Sequence, residues 1–250
     1  MAPLLQAKGL SKRFGGVRAV QEVSIAVPER SIFALIGPNG AGKSTLLNLL
    51  SGLYQPDAGS LELGGASLVG LPAHRRARLG IARTFQKIRL FRQLSVLENV
   101  LAGFHMRHDE PLWKHFLRRG SGRFRDEAAS LLEFVGIAGR AGERAGALSY
   151  GQQRMLEIAR SLATRPRLFM LDEPAAGLNG AEVEFLVRRL EEIGRQGVTV
   201  IVVEHNMDLV MNVAQRVFVM DYGQPIFEGT PREAQSNRGV IAAYLGGEFQ

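Results

Sequence analysis

The feature that most restricts this chain is the nonapeptide Gly37-Pro38-Asn39-Gly40-Ala41-Gly42-Lys43-Ser44-Thr45. It fills the pattern Gly-x-x-x-x-Gly-Lys-Ser, with the apolar run 31–36 ahead of it and a helical pattern at about 42–50 behind it. A strand that halts in such a loop and resumes as a helix turns successive backbone N–H groups toward one concavity, and the helix start adds a fixed positive potential. In that arrangement Gly37, Pro38, Asn39, Gly40, Ala41 and Gly42 cradle phosphate oxygens. Lys43 supplies a point charge for the β- and γ-phosphates, and Ser44 offers its hydroxyl to Mg²⁺, with Thr45 beside it. A glycine-rich turn that merely happens to hold a lysine would lack the strand on one side and the helix on the other.

A phosphate loop needs an acid for its metal. The run Leu168-Phe169-Met170-Leu171-Asp172-Glu173 is an apolar strand that ends in two carboxylates. Asp172, at the strand end, is the expected Mg²⁺ holder. Glu173, on the turn that follows, is the expected base or water-orienting group for attack on the γ-phosphate. Alone such a strand end is commonplace; beside the loop it points to hydrolysis of a nucleoside triphosphate.

The wider pattern is α/β. Strands are expected near 4–8, 23–27 and 31–36, then a turn at 56–59 and a short strand at 60–63. From 72 to 146 the pattern is mostly helical, broken at Pro111, at Gly120-Ser121-Gly122 and over 136–146. A half-buried helix is expected at 151–163, a strand at 168–171, a helix at 181–195, a strand at 198–203 and a short closing helix at 231–245. Continuous apolar strands alternating with helices imply a parallel sheet covered on both faces. The outer thirds therefore form one α/β unit and the middle a helical insert.

Bulk properties exclude more than they assign. The apolar run 198–203 is among the longest, far short of the ~20 residues of a membrane-spanning helix, and the first ten residues lack the pattern of a signal peptide. There is no cysteine, hence no disulfide and no thiolate metal site. The net charge is +7 with a pI of about 10.2, unevenly spread. Residues 71–93 carry Arg75, Arg76, Arg78, Arg83, Lys87, Arg89 and Arg92 with no acid among them, and a second basic stretch holds Arg107, Lys114, Arg118, Arg119, Arg123 and Arg125. No nucleic-acid-binding motif accompanies them, so no nucleic-acid partner is expected; solvated surface or anionic headgroups would suit them equally.

With these motifs in this order, the chain resembles the ABC-transporter ATPase family over nearly its whole length. Leu148-Ser149-Tyr150-Gly151-Gln152 is similar to that family's signature sequence, just ahead of the 151–163 helix. The resemblance implies a P-loop NTPase (RecA-like) core with a helical subdomain insert and an N-terminal antiparallel β subdomain. All of 1–250 would be a single ATPase domain, with core and β parts at about 4–85 and 150–250 and the helical part at about 87–148. It implies ATP and Mg²⁺ as ligands, and a head-to-tail dimer, with itself or a paralogue, in which Ser149, Gly151 and Gln152 of one subunit meet the γ-phosphate held by the other. Thr84-Phe85-Gln86 resembles the Q-loop, so Gln86 would contact Mg²⁺ and the attacking water. His205 matches the switch histidine, Phe14 the aromatic that stacks on adenine, and 176–179 the D-loop. Tyr150 and Asn179 depart from the commonest residues, glycine and aspartate, at their positions. The Ser-Tyr-Gly-Gln signature, 175–179, Glu204-His205-Asn206-Met207 and 83–91 resemble bacterial branched-chain amino acid importers, with the extended 103–125 region resembling the longer of their two ATPases. That implies transmembrane permease subunits, gripped by the helical insert and the segment after Gln86, a solute-binding protein acting indirectly, and a place at the cytoplasmic face of the inner membrane. Importers of urea and short amides share much of the pattern. A soluble ABC-type ATPase would normally carry a second such domain or a long coiled-coil insertion, neither of which is present; a P-loop kinase would lack the signature and Q-loop; and a non-catalytic scaffold is at odds with intact Lys43, Asp172 and Glu173.

Overall fold

The computed structural model describes residues 3–104 and 122–245. A four-stranded antiparallel sheet is formed by β1 (Pro3–Phe14), β2 (Val17–Pro28), β4 (Ala58–Leu63) and β5 (Ala66–Ser67), in the order β2-β1-β4-β5. A six-stranded sheet is formed by β3 (Ile32–Ile36), β6 (Ile81–Arg83), β7 (Leu168–Asp172), β8 (Thr199–Val203), β9 (Arg216–Asp221) and β10 (Gln224–Gly229), in the order β10-β9-β3-β8-β7-β6. Its strands run parallel except β10, which returns antiparallel to β9.

Strand periodicity divides the interior into two cores. Side chains alternate across a strand, and β3, β7 and β8 are buried along their whole length. Ile32, Ala34, Ile36, Phe169, Leu171, Val200 and Val202 face one core. Phe33, Leu35, Leu168, Met170, Ile201 and Val203 face the other. The second core is closed by helix α1 (Lys43–Ser51) and the inner residues of the antiparallel sheet, among them Leu5, Val23 and Leu61. The first lies under α3 (Val96–Phe104), α4 (Gly122–Phe134), α5 (Tyr150–Leu162), α6 (Gly180–Arg195) and α7 (Met207–Val213). The short α2 (Ala73–Arg78) completes the set of helices ahead of α3. Among the described residues no helix is long and apolar enough to cross a membrane.

Several expectations need correction. Residues 81–83, within the stretch expected to be mostly helical, form edge strand β6: three residues are too few to show a period, and pairing with β7 decides their conformation. The hairpin β9–β10 was not anticipated. The closing helix is two helices, α8 (Pro231–Ser236) and α9 (Arg238–Leu245), because Asn237 is extended (φ −77°, ψ 120°) and its Oδ1 accepts from Val240 N–H at 3.1 Å. Two members of the basic stretch 71–93 are not at the surface. Arg76 is fully buried and donates to the carbonyls of Leu49, Leu50 and Leu71, and Arg83 is paired inside the site described below. Most of the 103–125 region, with most of the second basic stretch, lies outside the described residues.

Helices α3 and α5 meet at Gly103, where an added Cβ would overlap the Arg160 carbonyl oxygen and crowd the Ala163 methyl. Alanine is the better helix former by about 1 kcal/mol, so Gly103→Ala would stabilise an isolated helix. Here it is expected to destabilise the protein by about 1–3 kcal/mol through overpacking, read as a lower midpoint in urea unfolding.

Candidate nucleotide and hydrolysis site

Strand β3 delivers the chain into the phosphate loop under constraints that explain its glycines. Gly37 (φ 145°) has no room for a Cβ, which would strike the Met220 carbonyl of β9, and Gly42 (φ 96°) would strike the Ala19 carbonyl in the same way. Left-handed backbone with a wall of carbonyls admits only glycine. The loop is braced from behind: Gly223 N–H donates to the Ala41 carbonyl at 3.0 Å, and Gln21 N–H to the Gly223 carbonyl at 2.8 Å. Lys43 is buried, and its ammonium donates to the carbonyls of Gly37 (2.7 Å) and Pro38 (2.8 Å). Burial pushes its pKa down, opposed by the charges of Glu173 and then Asp172. Residues 39–45 line one cleft with Val17, Arg18, Gln86, Glu173 and Tyr222.

The turn after β7 brings the Glu173 carboxylate to that cleft, while Asp172 and His205, next to it, are not among the lining residues. Glu173 takes the left-handed conformation (φ 46°) and donates its N–H to the Val203 carbonyl at 2.9 Å. A non-glycine residue held there costs on the order of 1 kcal/mol, a strain typical of functional turns. Its Oε2 accepts from Gln86 Nε2 at 2.9 Å, and its Oε1 lies 3.9 Å from His205 Nδ1. Gln86, Glu173 and His205 are thus brought together from three separate segments. Asp172 is buried at the strand end, and its Oδ2 accepts from Arg83 Nη2 at 2.9 Å. The other guanidinium nitrogen of Arg83 donates to Asn48 Oδ1 (2.6 Å) and Ser51 Oγ (2.8 Å) on α1. The remaining Asp172 oxygen, the Ser44 hydroxyl and the Gln86 amide oxygen are hard donors of the type Mg²⁺ takes beside phosphate. Among the described residues no cluster of three or more His, Cys, Asp or Glu offers another metal centre.

Other expected residues lie elsewhere. Phe14 is not among the residues lining the cleft: its ring packs edge-on against Tyr54, 5.3 Å between centroids. Val17, two-thirds exposed at the start of β2, lines the cleft; a lone valine there carries no sequence signal. Ser149, Gly151 and Gln152 open α5, also away from the cleft. Ser149 Oγ accepts from Gln152 N–H at 3.3 Å and Gln152 Oε1 from Ser149 N–H at 3.1 Å, a reciprocal capping box. A side chain at Gly151 would overlap the Glu182 carboxylate, and Glu182 is itself boxed with Asn179, the N-cap of α6.

Sequence reasoning missed two arginines. Arg83 is one. The other is Arg154, fully buried on α5, which donates to the carbonyls of Phe85 and Gln86 (2.9 Å each), to Glu157 (2.9 Å) and to the Tyr150 hydroxyl (3.2 Å). Glu157 accepts in turn from Arg89 N–H at 3.2 Å. The pair therefore clasps the backbone around Gln86 from the signature helix. Its only sequence trace is an Arg and a Glu, three residues apart, on the face of α5 that carries Ile158. Breaking a buried pair by removing one partner is costly because the other charge stays buried. Arg154→Leu is expected to lower unfolding stability by about 3–5 kcal/mol, measured by chemical denaturation.

The fold and the site together define a P-loop nucleotide hydrolase. A profile of the family described as ABC transporter matches residues 20–176, and one described as branched-chain amino acid ATP-binding cassette transporter matches residues 224–250. The high-affinity branched-chain amino acid transport ATP-binding protein LivG of Salmonella typhimurium is 45% identical, over 98% of this chain and 98% of its own length. BraF of Pseudomonas aeruginosa is 44% identical with the same coverage. The lipopolysaccharide export system ATP-binding protein LptB of Haemophilus influenzae is 32% identical over 99% of both. Among solved structures, the ADP conformation of the ATP-binding cassette MJ1267 superposes with a TM-score of 0.87 at 31% identity, covering 98% of this chain and all of that one. The dimeric cassette MJ0796 bound to ADP and Pi gives 0.80 at 25% identity, covering 91% and 99%. The chain belongs to the ABC transporter family, as an ATP-binding and ATP-hydrolysing subunit.

Proposed function

We propose that this ATPase powers import of branched-chain amino acids, and that the meeting of Gln86, Glu173 and His205 at the mouth of the phosphate loop is its hydrolytic centre. Their mutual geometry is the observation that carries the mechanism. ATP lies along 37–45, with Lys43 turning its ammonium from the loop carbonyls toward the β- and γ-phosphates and Thr45 beside them. Ser44, Gln86 and Asp172 would hold Mg²⁺, which would supply positive charge to neutralise that developing on the phosphate oxygens. Glu173 and His205 orient the attacking water, Glu173 accepting its proton and His205 facing the γ-phosphate. Catalysis of this kind is positioning plus electrostatics. Ser149, Gly151 and Gln152 present the N-terminus of α5 to the γ-phosphate bound by a second subunit, self or paralogue, in a head-to-tail dimer.

All of residues 1–250 act as one ATPase domain, with the helical part at about 87–148. Its docking site for a permease helix is the groove between β6, α3 and α5, lined by Phe85, Arg89, Leu90, Phe91, Gly103 and Arg160. Phe91 is more than half exposed there, with the Arg160 guanidinium 5.6 Å from its ring centre. With that docking the subunit sits, in this reading, at the cytoplasmic face of the inner membrane, held by permease subunits and served indirectly by a solute-binding protein. Two likenesses favour branched-chain amino acids over lipopolysaccharide export: identity to LivG of 45% against 32% to LptB, and the match at 224–250. Transport assays in the assembled complex with leucine, urea and short amides distinguish the remaining solutes.

The mechanism is tested with Glu173→Gln. Hydrolysis is expected to fall by a factor of about 10²–10⁴, the usual worth of a positioned general base, while ATP traps the variant as a dimer, or as a heterodimer once a paralogue is added, seen by light scattering. Hydrolysis at the original rate removes Glu173 from the role of base, and a protein that stays monomeric in every pairing removes the nucleotide-sandwich dimer.

A further inference from the structure

Glu204 is fully buried directly after β8, next to His205. Its Oε1 accepts from Ala175 N–H at 2.8 Å. Its Oε2 accepts from His205 N–H at 3.2 Å and Asn206 N–H at 3.3 Å. Its own N–H points to the Leu35 carbonyl of β3, the strand that feeds the phosphate loop. One carboxylate thus gathers three backbone donors from two turns: the turn that follows Glu173 and the turn that carries His205.

We propose that Glu204 is a positioning residue for hydrolysis, tying these two turns together and so setting the separation of Glu173 and His205. The proposal rests on the roles given to those two residues above. His205 is the group most in need of such support. Its side chain is largely exposed, and its approach to Glu173, at 3.9 Å, is too long for a hydrogen bond. Its place is therefore set by its backbone, and Glu204 holds that backbone. A carboxylate suits the task because it is acceptor-only when ionised and has two oxygens, whereas an amide of the same shape has one acceptor atom. Burial pushes the Glu204 carboxyl pKa up, and the N–H groups of Ala175, Asn206 and His205, with the His205 charge, oppose that rise.

A purely structural role as a helix cap does not account for the contacts. Helix α7 already has its cap: Asn206 Oδ1 accepts from Leu209 N–H at 3.1 Å. The Ala175 contact belongs to a different segment, after β7, and does nothing for α7.

A double-mutant cycle on the full-length chain tests the proposal, with steady-state ATP hydrolysis and nucleotide affinity measured for Glu204→Gln, His205→Ala and the double variant. Glu204→Gln keeps the shape but cannot accept on both sides. It is expected to lower kcat about 10–100-fold with KM for ATP and nucleotide Kd within about twofold, since the phosphate loop is untouched. In the His205→Ala background the same change is expected to cost less than about threefold, because the group it positions is gone. If His205→Ala alone leaves kcat unchanged, the role of His205 fails and the proposal falls with it. If His205→Ala lowers kcat but Glu204→Gln costs its full factor in both backgrounds, changes nothing, or weakens nucleotide binding in step, the proposal alone is overturned. Should Glu204→Gln lose its cooperative thermal unfolding, the cycle is run with Glu204→Asp, which keeps the charge but lacks one methylene of reach, under the same criteria.

Discussion

Everything in this protein depends on three adjacent parallel strands that are buried on both faces and end along the same edge. β3, β7 and β8 have no solvent-facing residue among the fifteen they contain, so their position is dictated by two cores at once and has no slack. Strands held that firmly deliver their following residues to fixed points. The phosphate loop, the Asp172–Glu173 pair and His205 leave from consecutive strand ends, in keeping with the rule that open α/β sheets place ligands beyond the carboxyl ends of their strands. Chemistry that requires sub-ångström positioning is thereby assigned to the least deformable part of the molecule.

How much of this was legible in the amino-acid sequence depends on the range of the signal. The phosphate loop and the strand of Leu168–Asp172 are local: a handful of consecutive residues carry the whole pattern, and both lie where the structure has them. Strand β6 and the β9–β10 hairpin were not legible, since β6 is three residues long and becomes a strand only through pairing with β7, more than eighty residues away. The same holds at the site. Lys43 and Glu173 announce themselves by their neighbours, but Arg83, Arg154 and Glu204 gain meaning only from partners far along the chain. Their sequence surroundings are those of ordinary charged residues, and Arg83 in particular looks like one more member of a basic surface stretch. Phe14 is likewise a residue whose role its sequence position alone suggests: its ring is exposed and touches Tyr54 edge-on.

Tyr150, the departure in the signature, finds a physical reason. Its ring lies over Gly177, where a Cβ would come within 3.0 Å of the ring edge, and its hydroxyl meets the buried Arg154 that holds the carbonyls of Phe85 and Gln86. A glycine at that position would leave the turn after β7 and the guanidinium without this contact. Asn179, the departure in the segment resembling the D-loop, is the N-cap of α6, accepting from Glu182 N–H at 3.0 Å; it does the work of an aspartate cap without the charge.

The wall behind the phosphate loop has a consequence for how the chain comes to be active. The carbonyl that makes Gly37 obligatory belongs to Met220, and the N–H that braces Ala41 belongs to Gly223. The loop that anchors the protein's function is synthesised well before its backing. Domains fold as units while the ribosome supplies them from the N-terminus, so for most of translation the nascent chain carries the motif without the cradle. A product that stopped short of β9 would hold every residue of the loop without the Met220 wall or the Gly223 brace.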